Sequence, residues 1–466
     1  MYKEMHGVFE VIEDAIDAAY EAQRILEANY TTEDRQKFID AVKAEALKVV
    51  NEETIKEFEE TGYGRLDQKL VKNYGSIAEN PGVESLKHEV LASGKGVTID
   101  FAAPYGTVGA LTPVTNGLVT VVCNTLSMLA AGNTIVFNAH PAGKESACKA
   151  CDLVNRAIVE AGGPDNVCTM IADPTYETLD VIMASDKIKM LIGTGGEGMV
   201  AKLMSSNKKV IAAGPGNPPA VIDETANVKQ AAQVLYEMVP FENNMLCITE
   251  KEAFVVESVY DEFVEAMKEC GARVLTEEEA QKVIDLCIAP NAEGKLMPNK
   301  KFVGKNANVI LKAAGLEVDE SVDLQLAVIL TDSVDHPYVM CEQLMPIFPI
   351  CKVKDWDAAM AAAIKAEAGC HHSACVWTAS LERATALGKA LGCTCFAMNG
   401  PTVGGTGMMG TGYGSPTIAV STGEGFTTPN TFTRFRRFAM CQGAAYMAKD
   451  SEHPLFIHNH CLICPL

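Results

Sequence analysis

Apolar positions recur along this chain with two different periods. Between residues 9 and 50 the spacing is helical: Phe9, Ile12, Ala15, Ile16 and Ala19 share one face, with acids on the other. A second helix is expected after Thr32, whose hydroxyl suits an N-cap ahead of Glu33 and Asp34. From 87 to 111 the pattern turns extended, HEVLASGKGVTIDFAAPYGTVGAL, punctuated by Gly and Pro. A long ribbon of this kind has two exposed edges unless it pairs with something. From 105 to 215 apolar strands (VGALTPV, NTIVFNAH, NVCTMIA, IKMLIGT, KKVIAAG) alternate with the helical stretches GLVTVVCNTLSMLAAG, GKESACKACDLVNRAIVEAG, PTYETLDVIMASD and EGMVAKLMSSN. That alternation predicts a parallel α/β sheet covered on both faces and doubly wound, with ligands at the carboxyl ends of its strands.

A weaker βα series follows from 217 to about 400. Its strand candidates are GNPPAVID, CITEKEAFVVES, LQLAVILT and MPIFPICKV, and 257–285 and 355–368 look helical. Beyond 400 the chain is Gly- and Thr-rich, and TFTRFRRFAM reads as a late strand. No internal repeat is evident.

Composition narrows the setting. A length of 466 residues suggests two or three structural units. The formal charge of -21 argues against duplex DNA or an anionic membrane as partner. No apolar run reaches the roughly 18–20 residues that span a bilayer. The start, MYKEMHGVFEVIEDA, lacks a basic-then-apolar signal pattern, so a cytoplasmic location is expected. The sixteen cysteines are scattered, mostly in apolar runs, as in a reducing compartment rather than a disulfide framework.

Four stretches could carry chemistry. In FENNMLCITEKE, Cys247 sits where a polar loop meets a strand, and a nucleophile there needs a lowered pKa or nearby amide donors. Taken alone, a buried core cysteine is the commoner reading. GTGGEG (193–198) follows a strand and opens a helix, so its amides could meet a pyrophosphate, although a plain strand-to-helix turn is nearly as common. In TPVTNG, Asn116 offers an amide to a developing oxyanion or caps the next helix, and the two roles can coexist. In CEQLMPIFP, Glu342 precedes an apolar strand, as a solvated loop acid also would.

The ordered set resembles the aldehyde dehydrogenase superfamily over nearly the whole chain. It is most similar to the CoA-acylating branch that handles acetaldehyde or propionaldehyde in bacterial microcompartments. FENNMLC, GPGNPPAVIDE (214–224), NTIVFNAHP (133–141) and TGEGFTTPNTFTRFRR (422–437) carry that resemblance. It implies Cys247 as nucleophile, with Asn116 and the Cys247 amide as oxyanion donors. It further implies Glu342 on the nicotinamide ribose, and Gly193, Thr194 and Gly198 around the pyrophosphate. Asn138, His140 and Pro141 would lie toward the adenosine end. The implied domains are a Rossmann-like coenzyme unit (1–87 and 105–215), a catalytic unit (216–411), and a β-arm for oligomerisation (88–104 and 412–440). A tail (441–466) remains. The arm would join a neighbouring subunit in a homodimer or homotetramer.

Two departures from hydrolytic relatives matter. Those enzymes commonly carry a glutamate in an E-L-G-G-K stretch as general base for water. Here that position is Ala212, 35 residues before Cys247. Without a base, water attack on a thioester is poor near neutral pH, whereas a thiol attacks readily. Coenzyme A is therefore the expected acyl acceptor. Asn138 stands where a lysine usually reaches the adenosine ribose, which favours NAD over NADP. The expected cycle runs from a thiohemiacetal on Cys247 through hydride transfer to an acyl-cysteine and then thiolysis. The alternatives are a hydrolytic dehydrogenase giving a free acid, or a non-catalytic assembly protein with this fold.

His371 and His372, in AGCHHSACVWT, could assist coenzyme A or form a buried hydrogen-bonded pair; the pair is the commoner outcome. In the tail, Cys461 and Cys464 have zinc-ligand spacing beside His458 and His460, but no metal is expected there. A docking segment that addresses the chain to a microcompartment shell is an equal alternative to disorder.

Overall fold

The structure is a computed structural model that describes residues 2–93 and 95–441. The readings placed on 442–466, including His458, His460, Cys461 and Cys464, lie outside the described residues.

The helices Ile12–Asn29 and Thr32–Thr61 form as expected, but the second is capped by Thr31 rather than Thr32. The Thr31 hydroxyl accepts from the Asp34 amide, and the Asp34 carboxylate accepts from the Thr31 amide at 3.0 Å, a reciprocal capping box. Each of the five strands expected between 105 and 215 is present. With Val8–Phe9 they make a six-stranded sheet, parallel at every pairing, in the spatial order Val8–Phe9, Cys168–Ile171, Ile135–Asn138, Val108–Leu111, Met190–Thr194, Lys209–Ala213. Side chains leave it on both faces. Ile135 and Phe137 join one apolar cluster, under the helices Thr32–Thr61, Gly117–Ala130 and Lys144–Glu160, while Val136 joins the other, against Ile12, Ile16 and Leu179. Burial of each such side chain contributes ~1.5–3 kcal/mol, and because both faces are covered the strands read as continuous apolar runs.

The second βα series builds a seven-stranded sheet, again parallel throughout, centred on Glu252–Val256, Pro219–Ile222 and Ile347–Val353. Residues 257–285 form two helices rather than one. Glu257–Cys270 stops at Gly271, whose φ of 112° no helix accommodates, and Glu277–Cys287 restarts on a Thr276 cap. Residues 214–218 join the last strand of the first sheet to the strand Pro219–Ile222 of the second, so the seam between the sheets is built from the Gly-Pro-Gly stretch.

Glu89–Ser93, Gly96–Pro104 and Thr433–Cys441 form a separate antiparallel sheet. Of the 412–440 segment only the final strand enters it. Ile418–Ala419 and Gly425–Phe426 instead make a hairpin, and Thr422 in its turn accepts from the Ala212 amide at 3.0 Å. No helix among the described residues is long and apolar enough to cross a membrane.

Candidate active site

The nucleophile stretch is an unusual turn. Glu242, Asn243 and Asn244 all have positive φ, at 54°, 55° and 61°. Asparagine tolerates this region, but glutamate rarely enters it, and each such residue stores on the order of 1–3 kcal/mol. The turn persists because its side-chain amide donors are matched, although the buried Asn243 Oδ1 has no partner. Asn243 Nδ2 donates to the carbonyls of Gly64 (3.1 Å) and Gly304 (2.8 Å), and Asn244 Nδ2 to those of Val239 and Glu250. Lys251, fully buried, donates to Asn244 O and Oδ1 at 2.9 and 2.7 Å and to Leu246 O at 2.9 Å. Its ammonium thus closes the loop around Cys247, which lies in a turn five residues before the strand Glu252–Val256 and is half-buried.

The thiol is not lowered, contrary to one of the two conditions set from the sequence. Burial pushes it up to about 12, and the neighbouring Glu342 carboxylate adds to the rise. The other condition is met, because the amides of Cys247 and Ile248 and the charge of Lys251 favour the thiolate. Lys251 itself is drawn down to about 8 by burial, against the pull of Glu342, Cys247 and its acidic neighbours.

Gly216 in the seam touches this turn. A Cβ there would lie 2.7 Å from both Cys247 O and His372 Cγ, so only glycine fits. The Gly216 amide donates to Glu342 Oε1 at 3.2 Å, which brings Glu342 beside Cys247. Burial raises the Glu342 carboxyl, while Lys251 and the Gly216 amide draw it back. Of the two histidines, His371 is exposed and its Nδ1 meets Leu391 O at 2.9 Å. His372 is fully buried, pairs Nδ1 with Ser373 Oγ at 2.8 Å, and leaves Nε2 without a partner. Burial brings the His372 ring down to about 3, so it is neutral.

Asn116 occupies the N-cap position of Gly117–Ala130 but makes no capping bond. Glu57 takes that role from outside, its Oε1 accepting from the Leu118 amide at 2.9 Å. Asn116 Oδ1 accepts from Lys72, and Nδ2 meets only Thr115 Oγ1 at 3.5 Å. Its amide is therefore available as a donor.

At the carboxyl end of Met190–Thr194 the backbone is open. Gly196 caps Glu197–Met204 without a side-chain bond, and a Cβ at Gly196 or Gly198 would meet nothing within 4 Å. The buried Thr194 hydroxyl has no partner. These orphan donors suit a nucleotide pyrophosphate. Gly193 is tightly packed as well: a Cβ there would lie 2.4 Å from Leu203 Cδ1. Glu197 pairs with Lys295, and both charges act on the Glu342 carboxyl. Asn138 ends a strand of the same sheet, but its amide is occupied: Nδ2 donates to Thr175 O at 3.2 Å and Oδ1 accepts from the Thr178 hydroxyl at 2.6 Å. His140 is exposed and accepts from the Ala142 amide at 3.2 Å, ahead of the exposed Pro141. Neither Asn138 nor His140 is bonded to the Cys247 loop.

Sequence reasoning missed Lys251, Lys72 and Glu57. The signal for Lys251 was a lone lysine between Glu250 and Glu252, which reads as a solvated charge run.

A half-buried thiol at the seam of two parallel α/β sheets, in a chain that also has an open helix amino terminus after a strand of the first sheet, fits the class of dehydrogenases. The chain belongs to the aldehyde dehydrogenase family, whose model matches residues 6–428. It is 38% identical to the Escherichia coli acetaldehyde dehydrogenase (acetylating) EutE, over 92% of this chain and 91% of that protein. It is 37% identical to the Salmonella typhimurium propanal dehydrogenase (CoA-propanoylating), over 94% and 92%. Among solved structures, Rhodopseudomonas palustris propionaldehyde dehydrogenase with bound CoA and an acylated cysteine superposes with TM-score 0.90 at 34% identity, covering 95% of this chain and 99% of that one. The propionaldehyde dehydrogenase of a Clostridium phytofermentans fucose-utilisation microcompartment gives 0.89 at 34%, over 94% and 98%.

Proposed function

We propose that this chain oxidises a short-chain aldehyde, propionaldehyde or acetaldehyde, with NAD and delivers the acyl group to coenzyme A. The observation that carries the choice of acceptor is Ala212. It is fully buried in the apolar layer with Val210, Leu111 and Leu191, so no carboxylate stands where hydrolytic members activate water. Cys247 adds to the aldehyde carbon as the thiolate, the S–H proton of the half-buried thiol having passed to solvent. Asn116 Nδ2 and the Cys247 amide donate to the oxygen as it becomes anionic. When bound, NAD supplies the hydride acceptor and coenzyme A supplies the thiol that takes the acyl group. Thr194 and the amides of the 195–198 turn would hold the pyrophosphate, and Glu342 would accept from ribose hydroxyls. Cys247 carries the acyl group as a thioester between the two halves. His372, neutral and with Nε2 free, offers an acceptor to an incoming thiol.

The preference for NAD rests on Asn138, which offers no cation to a 2′-phosphate and is already held by Thr175 and Thr178. A steady-state assay tests the whole reading. Without coenzyme A, NADH formation is expected to stop after about one equivalent per Cys247, and with it to continue. Catalytic turnover without coenzyme A would overturn the acceptor. A higher kcat/KM with NADP would overturn the nucleotide, and aldehydes of increasing length define the substrate.

The arm supports a homodimer or homotetramer. Val90, Ile99, Phe101 and Phe438 lie on one face of its sheet, and Val90 and Phe438 are 60% and 56% exposed. Among the described residues, the strands at both edges pair on one side only. Changing Val90 and Phe438 together to Glu is expected to give a monomer by sedimentation, and an unchanged mass would remove the arm from the interface. Residence in a microcompartment rests on the setting named for the fucose-utilisation relative, and cofractionation with shell proteins checks it.

A further inference from the structure

The oxyanion donor and the nucleophile turn belong to different elements, and one buried lysine touches both. Lys72, on the helix Leu66–Ala78, donates from Nζ to Asn116 Oδ1 and to Glu242 Oε2, the latter at 2.5 Å. Glu242 is five residues before Cys247 and fully buried. It is held on every side: Oε1 accepts from the Arg65 amide at 3.3 Å, its own amide donates to Gln68 Oε1 at 2.6 Å, and Lys69 Nζ stands 3.7 Å from Oε2. Lys69 is also 3.7 Å from Glu57, the residue that caps the Asn116 helix. Two lysines thus balance two carboxylates in a cluster shut off from water.

The geometry points to Lys72 as a positioning residue for the reaction. It fixes the Asn116 amide with Nδ2 presented to the substrate oxygen and, through Glu242, ties that amide to the turn that carries Cys247. The chemistry of the contact sets the orientation. An ammonium only donates, so it can face the amide oxygen and never the amide nitrogen. A rotated Asn116 would set its NH2 against a cation and offer the substrate an acceptor. The charge-assisted bond at Oδ1 also polarises the amide, which makes Nδ2 the stronger donor. Glu242 accounts for the otherwise unfavourable glutamate at φ 54°: its backbone belongs to the strained turn and its carboxylate to the lysine. Movement of the nucleophile turn and movement of the oxyanion donor are therefore coupled through one side chain.

This inference rests on the reading of Asn116 as oxyanion donor, and a double-mutant cycle separates the two. Lys72→Met removes the donors and keeps the length. It is expected to lower kcat about ten- to hundredfold, with KM for NAD and for coenzyme A within about twofold of the parent. Adding Asn116→Ala to it is expected to cost no more than Asn116→Ala alone, because Lys72 acts through that amide. Lys72→Met leaves Glu242 short of a partner, so the charge-balanced pair Lys72→Met with Glu242→Gln is measured beside it. That pair is expected to recover thermal stability without recovering kcat.

Full activity in Lys72→Met, additive losses in the cycle, or recovery of kcat in the charge-balanced pair would each overturn the role of Lys72. If Asn116→Ala loses its rate while Lys72→Met does not, only this inference fails. If Asn116→Ala keeps full activity, the oxyanion reading fails and takes this inference with it.

Discussion

Replacing Cys247 with alanine is expected to abolish aldehyde-dependent NADH formation, a loss of at least about 10⁴-fold, while the fold survives. The loop does not depend on the thiol. Its shape is set by Asn243, Asn244 and Lys251, whose hydrogen bonds run to backbone carbonyls and leave Sγ out of the network. Thermal unfolding is therefore expected to shift by the equivalent of about 1 kcal/mol or less. A folded Ala variant that still turned over would end the assignment of the nucleophile. The same thiol makes a pH prediction. With a pKa of about 12 in the free protein, only about 10⁻⁵ of it is thiolate at pH 7, and that fraction grows tenfold per pH unit. Alkylation of Cys247 by iodoacetamide should thus accelerate about tenfold per unit from pH 7 to 9. A rate that levelled off below pH 8 would mean that the amides of Cys247 and Ile248 outweigh burial.

Asn116→Ala is expected to lower kcat by ~10²–10³, which corresponds to about 2.7–4 kcal/mol of transition-state stabilisation. The helix it precedes should hold, because Glu57 rather than the Asn116 side chain accepts from the Leu118 amide in its first turn. That separates the loss from a folding defect. Binding of NAD should be little changed, since the glycine turn proposed for the pyrophosphate, Thr194–Gly198, follows a different strand. Pre-steady-state NADH formation measures the step directly. A normal burst with slow turnover would move Asn116 from the hydride half of the cycle to the thiolysis half.

Much of the fold was legible because both sheets are covered on two faces. Their strands are apolar throughout and contrast sharply with the helices between them. The boundaries that slipped did so for local reasons. Thr31 and Thr32 are equivalent as letters, and only the Asp34 contact chooses between them. The helical spacing through 257–285 hides the break that Gly271 makes. The helix Leu66–Ala78 was invisible for a deeper reason: its buried residues are Lys69, Lys72, Asn73 and Ile77, the reverse of an amphipathic pattern. A hydropathy rule assigns that face to solvent.

The sequence by itself determined the two α/β layers and the extended ribbon, and its resemblance to the aldehyde dehydrogenase family singled out Cys247 among sixteen cysteines and Ala212 ahead of it. Periodicity and residue type at a position are both local. Only the tertiary structure decided the thiol's raised pKa, the three left-handed residues ahead of it, and the matching of Lys72 to Asn116 and Glu242. A buried charge is tolerable only when a partner meets it, and here the partners lie 44 and 170 residues away along the chain. Nothing in the spacing of a single segment records a partner at that range.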